Sequence, residues 1–156
     1  MTTREQPWSD DRPETGRVVL LTRNPIAEAI ESIATTAGRQ VSVIEEDSDG
    51  QGVAALARLG LCGGDAVVLC DHDAPDAPSV LRAALASDAS YVAMMASRHR
   101  AAGLVEELRG EGLDVSRLHV PAGHNLGGKG PGEIALSVVA EIVAESYDRP
   151  GGPMRD

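Results

Sequence analysis

Five clusters in this 156-residue chain carry side chains able to bind or transfer charge, and each follows a short apolar run. They are Thr22-Arg23-Asn24, Glu45-Glu46-Asp47, Asp71-His72-Asp73, Ser97-Arg98-His99-Arg100 and the stretch from Gly123 to Gly130. The fourth suits an anion best. Ser97 can cap a following helix, whose free amides favour negative charge, and two arginines and a histidine reinforce that preference. The plainer reading is a capped helix with solvated basic residues. Asp71, His72 and Asp73, with His99, His119 and His124, are of types that ligate divalent metals, but their spacing is not diagnostic of a metal site and none is assigned. Gly123 and Gly127 belong to a glycine-rich loop that can bring backbone amides close to a ligand or serve only as a flexible connection. Serine nucleophile elbows, Walker loops and HExxH motifs are absent from the sequence, and no catalytic residue is assigned.

These clusters need a scaffold, and the pattern around them supplies one. Strands are expected at Arg17–Leu21, Val41–Ile44, Ala66–Cys70, Tyr91–Met95 and Leu118–Val120. Helix-period stretches follow them at Pro25–Ala37, Val53–Leu59, Pro78–Ala86, about Arg98–Arg109 and Gly132–Ser146. Asn24 suits the cap before the first helix and Pro25 its first position. Alternating strands and helices, with strands apolar on both faces, predict a three-layer, doubly wound α/β fold: about five mainly parallel strands with helices on both sides. The expected strand order is 3-2-1-4-5, which puts the ligand-binding crevice between the first and fourth strands. One Rossmann-like domain is expected at 17–147, between disordered tails at 1–16, which is polar, and 148–156, which is rich in Gly and Pro. Trp8 is the one large apolar residue of the first tail.

The first turn decides what such a crevice can hold. A dinucleotide turn uses glycine for tightness and for close approach of the pyrophosphate. Thr22 and Asn24 stand at those places, with Arg23 between them. Glu45 lies 23 residues after Thr22, a spacing that fits a ribose-binding carboxylate, yet it also opens a run of solvated acids. The formal charge of −10 argues against nucleic acid and anionic membrane as partners. With no apolar run of membrane-spanning length and no signal-like start, the expected compartment is the cytoplasm, where Cys62 and Cys70 stay reduced.

The second half resembles the C-terminal Rossmann domain of the xanthine dehydrogenase accessory (XdhC/CoxI) family. The resemblance is carried by Tyr91-Val92 through Ala96-Ser97-Arg98, by Leu118-His119-Val120-Pro121-Ala122-Gly123, by Asn125-Leu126-Gly127, and by Pro131-Gly132-Glu133-Ile134-Ala135 through Ala140-Glu141-Ile142. It extends over about residues 17 to 145, departing at Thr22-Arg23-Asn24-Pro25, where the family has Gly-Ala-Gly-His. It implies an accessory or binding protein for maturation of molybdenum hydroxylases such as xanthine or carbon monoxide dehydrogenase. The implied ligand is a molybdopterin-type cofactor or NAD(P), and the implied partners are a client hydroxylase and a second copy in a homodimer. Thr22, Arg23, Asn24, Glu45, Asp71, His72, Ser97, Arg98, His99, Gly123 and Gly127 are the residues expected around an anionic cofactor or nucleotide. Two other readings stay open: an NAD(P)-dependent oxidoreductase-like protein, and a partner-binding domain that holds no ligand.

Overall fold

A computed structural model of the chain describes residues 16–45 and 51–155. The first tail with Trp8, together with Glu46 and Asp47, lies outside the described residues. The elements alternate throughout: β1 (Val18–Leu21), α1 (Pro25–Thr36), β2 (Val41–Ile44), α2 (Gln51–Leu59), β3 (Ala66–Leu69), α3 (Ala77–Ala86), β4 (Tyr91–Met94), α4 (Arg98–Gly110), β5 (Leu118–His119) and α5 (Pro131–Ser146). All four strand pairings are parallel, and the sheet is doubly wound as the pattern predicts.

The order across the sheet is β2-β1-β3-β4-β5. This corrects the expected 3-2-1-4-5: β3, expected at the far edge beyond β2, lies between β1 and β4. Burial gives the reason. β3 (AVVL) and β4 (YVAM) are buried at every position, whereas β2 (VSVI) carries a serine and is only partly buried along most of its length. The strand with the polar residue takes the edge, where one flank needs less apolar cover. The winding therefore reverses between β1 and β3, and that is where the crevice opens.

Alternate residues of each strand feed two cores. Val18 and Leu20 face the layer of α1 and α5 with Ala27, Ile30, Ala135, Val138 and Ile142. Val19 and Leu21 face the layer of α2, α3 and α4 with Leu56, Val80, Leu81 and Leu108. The helices thus split two and three across the sheet, and every β-to-α turn emerges at the same edge. Beyond α5 the expected second tail makes a contact with the body: Gly151 lies against the ring of His124. Among the described residues no helix is long and apolar enough to cross a membrane.

Candidate functional site

The first turn at this edge is closed by its own side chain. Asn24 has extended backbone geometry, and its Oδ1 accepts from the Ala27 amide at 2.8 Å. Its Nδ2 donates to the Cys70 carbonyl at 3.1 Å, tying the β1 turn to the end of β3 across the crevice. Pro25 at the first helical position has no N–H to offer. Of the first-turn donors on which a pyrophosphate would rest, Pro25 has none and the Ala27 amide is occupied. The dinucleotide geometry does not fit here. Replacing Asn24 with alanine removes a cap and a cross-strand tie, and should lower stability by about 1–2 kcal/mol. Denaturant unfolding of the variant beside the parent chain measures this.

Glu45, placed by spacing as a ribose ligand, is engaged elsewhere. Arg23 Nε donates to Glu45 Oε1 at 2.7 Å and also lies near Glu31, 3.9 Å away through Nη2. The two side chains that flank the turn thus satisfy each other. Thr22 is half-buried behind them.

The β3 loop and the start of α4 form a second group. The Asp73 amide donates to Asp71 Oδ1 at 2.9 Å, which shapes the loop. The His72 Nδ1–H donates to the Met95 carbonyl at 2.8 Å, since a carbonyl can only accept. Asp73 then stands between His72 Nε2 at 3.3 Å and Arg100 Nη1 at 3.1 Å. This triplet borders a cavity of about 340 Å³ between α3 and α4, floored by Leu81, Met94 and Leu104. Ser97 caps α4 as its type suggests, accepting from the Arg100 amide at 3.2 Å. Arg98 and His99 project outward, exposed.

A larger cavity, about 490 Å³, opens on the opposite face of the same edge. Its walls come from Ile26 in the first turn of α1, from Met95 and Ala96 after β4, from the loop between Pro121 and Lys129, and from Ile134 and Ser137 of α5. Gly127 lines it, as do His124, Asn125 and Lys129, whereas Arg98, His99 and Gly123 do not. Gly123 has a different task. Its φ is +96°, and a Cβ there would lie 2.3 Å from Ser137 Oγ, so only glycine lets the loop close on α5. The expected site residues consequently fall into three groups instead of one: Arg23 with Glu45, His72 with Asp73 and Arg100, and the glycine loop around its own cavity.

Behind that loop sits a cluster that sequence reading did not assemble. Tyr91 Oη donates to Glu141 Oε1 at 2.5 Å, and the Gly123 amide donates to the same oxygen at 3.2 Å. His119 Nδ1 lies 3.5 Å from Glu141 Oε1, and His124 Nδ1 lies 3.9 Å from Oε2. The His119 ring stacks on Tyr91 with centroids 4.4 Å apart. Burial alone would raise the Glu141 carboxyl, but hydrogen bonds from His119, Tyr91 and the Gly123 amide outweigh it and hold the group below its ordinary value. Burial, with the adjacent Glu141 charge, pushes the Tyr91 phenol far up, so it stays a donor. The signal was present: Glu141 is an acid beside Val138 and Ile142 on the inward stripe of α5. Cys70 is a buried thiol, pushed up to about 12 by burial and by neighbouring Asp71, and so chemically quiet. Among the described residues no group of three or more His, Cys, Asp or Glu side chains is arranged to hold a metal ion.

A family model described as the XdhC Rossmann domain matches residues 18–142. The chain belongs to that family. The uncharacterised protein YqeB of Escherichia coli (strain K12) is 38% identical over 68 residues, 42% of this chain and 13% of YqeB. Among solved structures, a xanthine dehydrogenase from Bacillus halodurans is similar with a TM-score of 0.72 at 18% identity, over 86% of this chain and 44% of that one. The sugar isomerase domain of an RpiR transcription factor from Sphaerobacter thermophilus reaches a TM-score of 0.51 at 15% identity, over 86% of this chain and 74% of the other. At such identities these likenesses show the fold alone. This XdhC Rossmann domain spans less than half of the Bacillus protein and a small part of YqeB.

Proposed function

We propose that this XdhC Rossmann domain is a cytoplasmic accessory module in the maturation of a molybdenum hydroxylase. In this reading it holds an anionic, ring-bearing cofactor, a pterin phosphate or nucleotide, at the carboxyl edge of its sheet. The observation that carries the ligand is the 490 Å³ cavity, a volume within the range of small-molecule sites, about 300–1,000 Å³. Ile26, Met95 and Ile134 offer apolar walls to a flat ring. Asn125 offers an amide to a ring edge, and Lys129 a charge to a phosphate. Family membership supports the maturation role and a client such as xanthine dehydrogenase.

The residues present fit a pterin phosphate better than a dinucleotide, because the cavity lies beside the α5 loop while the β1 turn is stoppered by Asn24. A bound pterin would supply the ring and phosphate chemistry; this chain's own part is to seat, orient and shield it. One carboxylate works against the anion. Glu133 packs over Gly128, a wall of the cavity, where a Cβ would lie 2.6 Å from its Oε2.

Thermal unfolding in the presence of molybdopterin, NAD(H) and NADP(H) tests this. Ligand at a hundred times its dissociation constant stabilises by about 2.7 kcal/mol, and so raises the melting temperature by about 5–10 °C. The expected result is a rise with molybdopterin and none with NADH. Lys129→Ala should weaken binding about tenfold, and Glu133→Gln should strengthen it. Arg98→Ala separates two locations for the anion, since it weakens binding only if the phosphate sits at the basic turn of α4. A rise with NADH alone would overturn the proposal in favour of an oxidoreductase-like site. A flat response to all three would leave a partner-binding domain, which the exposed Leu126 and Leu136 also suit.

A further inference from the structure

The two edges of the sheet are finished differently. β5 is two residues long and is soon followed by Pro121, which has no amide to offer; short edges flanked by proline resist pairing with another chain. β2, at the other edge, has neither protection. Its sequence VSVI holds three β-branched residues and no lysine or proline. The Val18 amide donates to the Gln40 carbonyl at 2.8 Å, so the backbone groups of Gln40, Ser42 and Ile44 point to β1. Those of Val41 and Val43 point away from the sheet, and the alternation gives Glu45 the same direction. Among the described residues no strand lies there to take them.

The open flank is also a groove whose charge is polarised. A cavity of about 390 Å³ lies between β2, from Ser42 to Glu45, and Ala55, Arg58 and Leu59 of α2. Because α2 runs back over the sheet, Arg58 in its last turn stands towards the amino end of the groove. It is exposed and has no ion pair among the described residues. The carboxyl end is acidic. Glu45, held by Arg23 through Oε1, keeps 64% of its side chain exposed and opens the run Glu45-Glu46-Asp47.

We propose that β2 is the seam of a homodimer, pairing antiparallel with β2 of a second copy about a twofold axis at Val43. An antiparallel copy reverses the polarity of the groove, so the acidic end of each β2 meets Arg58 of the other chain. A parallel copy would set like ends together. In this register the outward groups of Val41, Val43 and Glu45 face those of Glu45, Val43 and Val41 in the copy, and each gains a ladder partner. Opposite residues share a face, so Ile44 of one copy lies across from the small Ser42 of the other, on the side of Ala55 and Leu59. Both open edges disappear in the contact. The formal charge of −10 on each chain opposes association at long range, but about 0.15 M salt screens it beyond about 8 Å, farther than the seam contacts reach. The 490 Å³ cavity has no wall from β2, so the seam leaves it open whatever ligand it takes.

Sedimentation and amide hydrogen exchange on the full chain, from about 2 μM to about 200 μM in about 0.15 M salt, test the seam. The expected result is a dimer at the upper concentration. The Val41 and Val43 amides should be protected there and exchange freely at the lower one, while Ser42 and Ile44, held by β1, stay slow throughout. Val43→Pro removes an outward donor and no bond to β1, so it should give a folded monomer. Arg58→Glu sets like charges at the seam and should weaken dimerisation about tenfold or more. A parent chain still monomeric at about 200 μM would overturn the seam. So would a dimer indifferent to both variants; its loss in Leu136→Ser would move the contact to α5. Protection of Val41 and Val43 at every concentration would mean that another part of this chain covers the edge, and overturns the seam as well. If Val43→Pro does not fold, Arg58→Glu and the exchange pattern of the parent chain still decide.

Discussion

Glu141→Ala should lower the stability of the domain by about 3 kcal/mol or more, and its melting temperature by about 6–12 °C. The size follows from what the carboxylate leaves behind. The Tyr91 hydroxyl is nearly inaccessible to water in a residue only 1% exposed, and it loses its acceptor. The Gly123 amide loses its acceptor as well, and with it the β5–α5 loop loses one of its ties to α5. His119 and His124 keep their places only by stacking and by packing. A buried donor left unpaired costs about 1–3 kcal/mol, so two such donors reach the stated range. Glu141→Gln separates shape from charge. Its amide oxygen can still accept from Tyr91 and Gly123, so the loss should shrink to about 1 kcal/mol. The pH dependence has a definite sign. Glu141 is held below its ordinary value in the folded chain, so its contribution is fully present above about pH 4.3, the unfolded value. It is lost as the pH falls through the lower folded value. Urea unfolding of parent and Glu141→Gln between about pH 6 and about pH 3 should show the two converging towards acid.

The same cluster shows where sequence stops being informative. Periodicity placed the strands and helices because each strand needs two apolar faces and each helix one stripe, and those demands are written locally. Caps were legible for the same reason: Asn24 and Ser97 accept the amides that their types and positions suggest. The order of the strands was not local. A crossover can carry β3 to either side of the β1–β2 pair, and only the serine within β2 hinted that this strand takes an edge. β2 flanks β1 in the expected order as in the observed one, and there Arg23 and Glu45 meet at the ends of neighbouring strands, so a residue read as a ribose ligand is half of an ion pair. The XdhC resemblance was carried by Tyr91, His119, Gly123 and Glu141 as separate stretches of chain. Their meeting around one carboxylate depends on β4, β5 and α5 lying side by side, which no spacing within a single stretch records.

The second large effect lies at the opposite edge of the sheet and uses one carboxylate to join three strands. Asp65→Ala should cost about 3–5 kcal/mol. The side chain of Asp65 is 4% exposed at the entry to β3. Its Oδ1 accepts from the Arg17 amide at 2.7 Å, and its Oδ2 from the Cys62 amide at 2.8 Å and the Arg17 guanidinium at 2.9 Å. Its own carbonyl accepts from the Ser90 amide at 3.0 Å, so the starts of β1, β3 and β4 meet at one residue. Gly16 closes over it, since a Cβ there would lie 2.5 Å from Oδ1. Burial raises this carboxyl, but the Arg17 guanidinium and the Cys62 and Arg17 amides more than compensate and hold it below the ordinary range. The stabilisation is thus complete above about pH 4 and disappears as the pH drops through the lowered folded value. Asp65→Asn keeps an acceptor for an amide but gives up the charge opposite Arg17, so its loss should be intermediate, and equal to that of the parent only in strong acid. Because every residue lining the 490 Å³ cavity belongs to the carboxyl edge, these variants should bind a cavity ligand with parental affinity at temperatures where they remain folded. Isothermal titration below the melting transition measures this. Parental affinity in Asp65→Asn beside a weakened Lys129→Ala would place stability at one edge of the sheet and ligand recognition at the other; a joint loss would mean that strand alignment set at the amino edge governs the shape of the cavity.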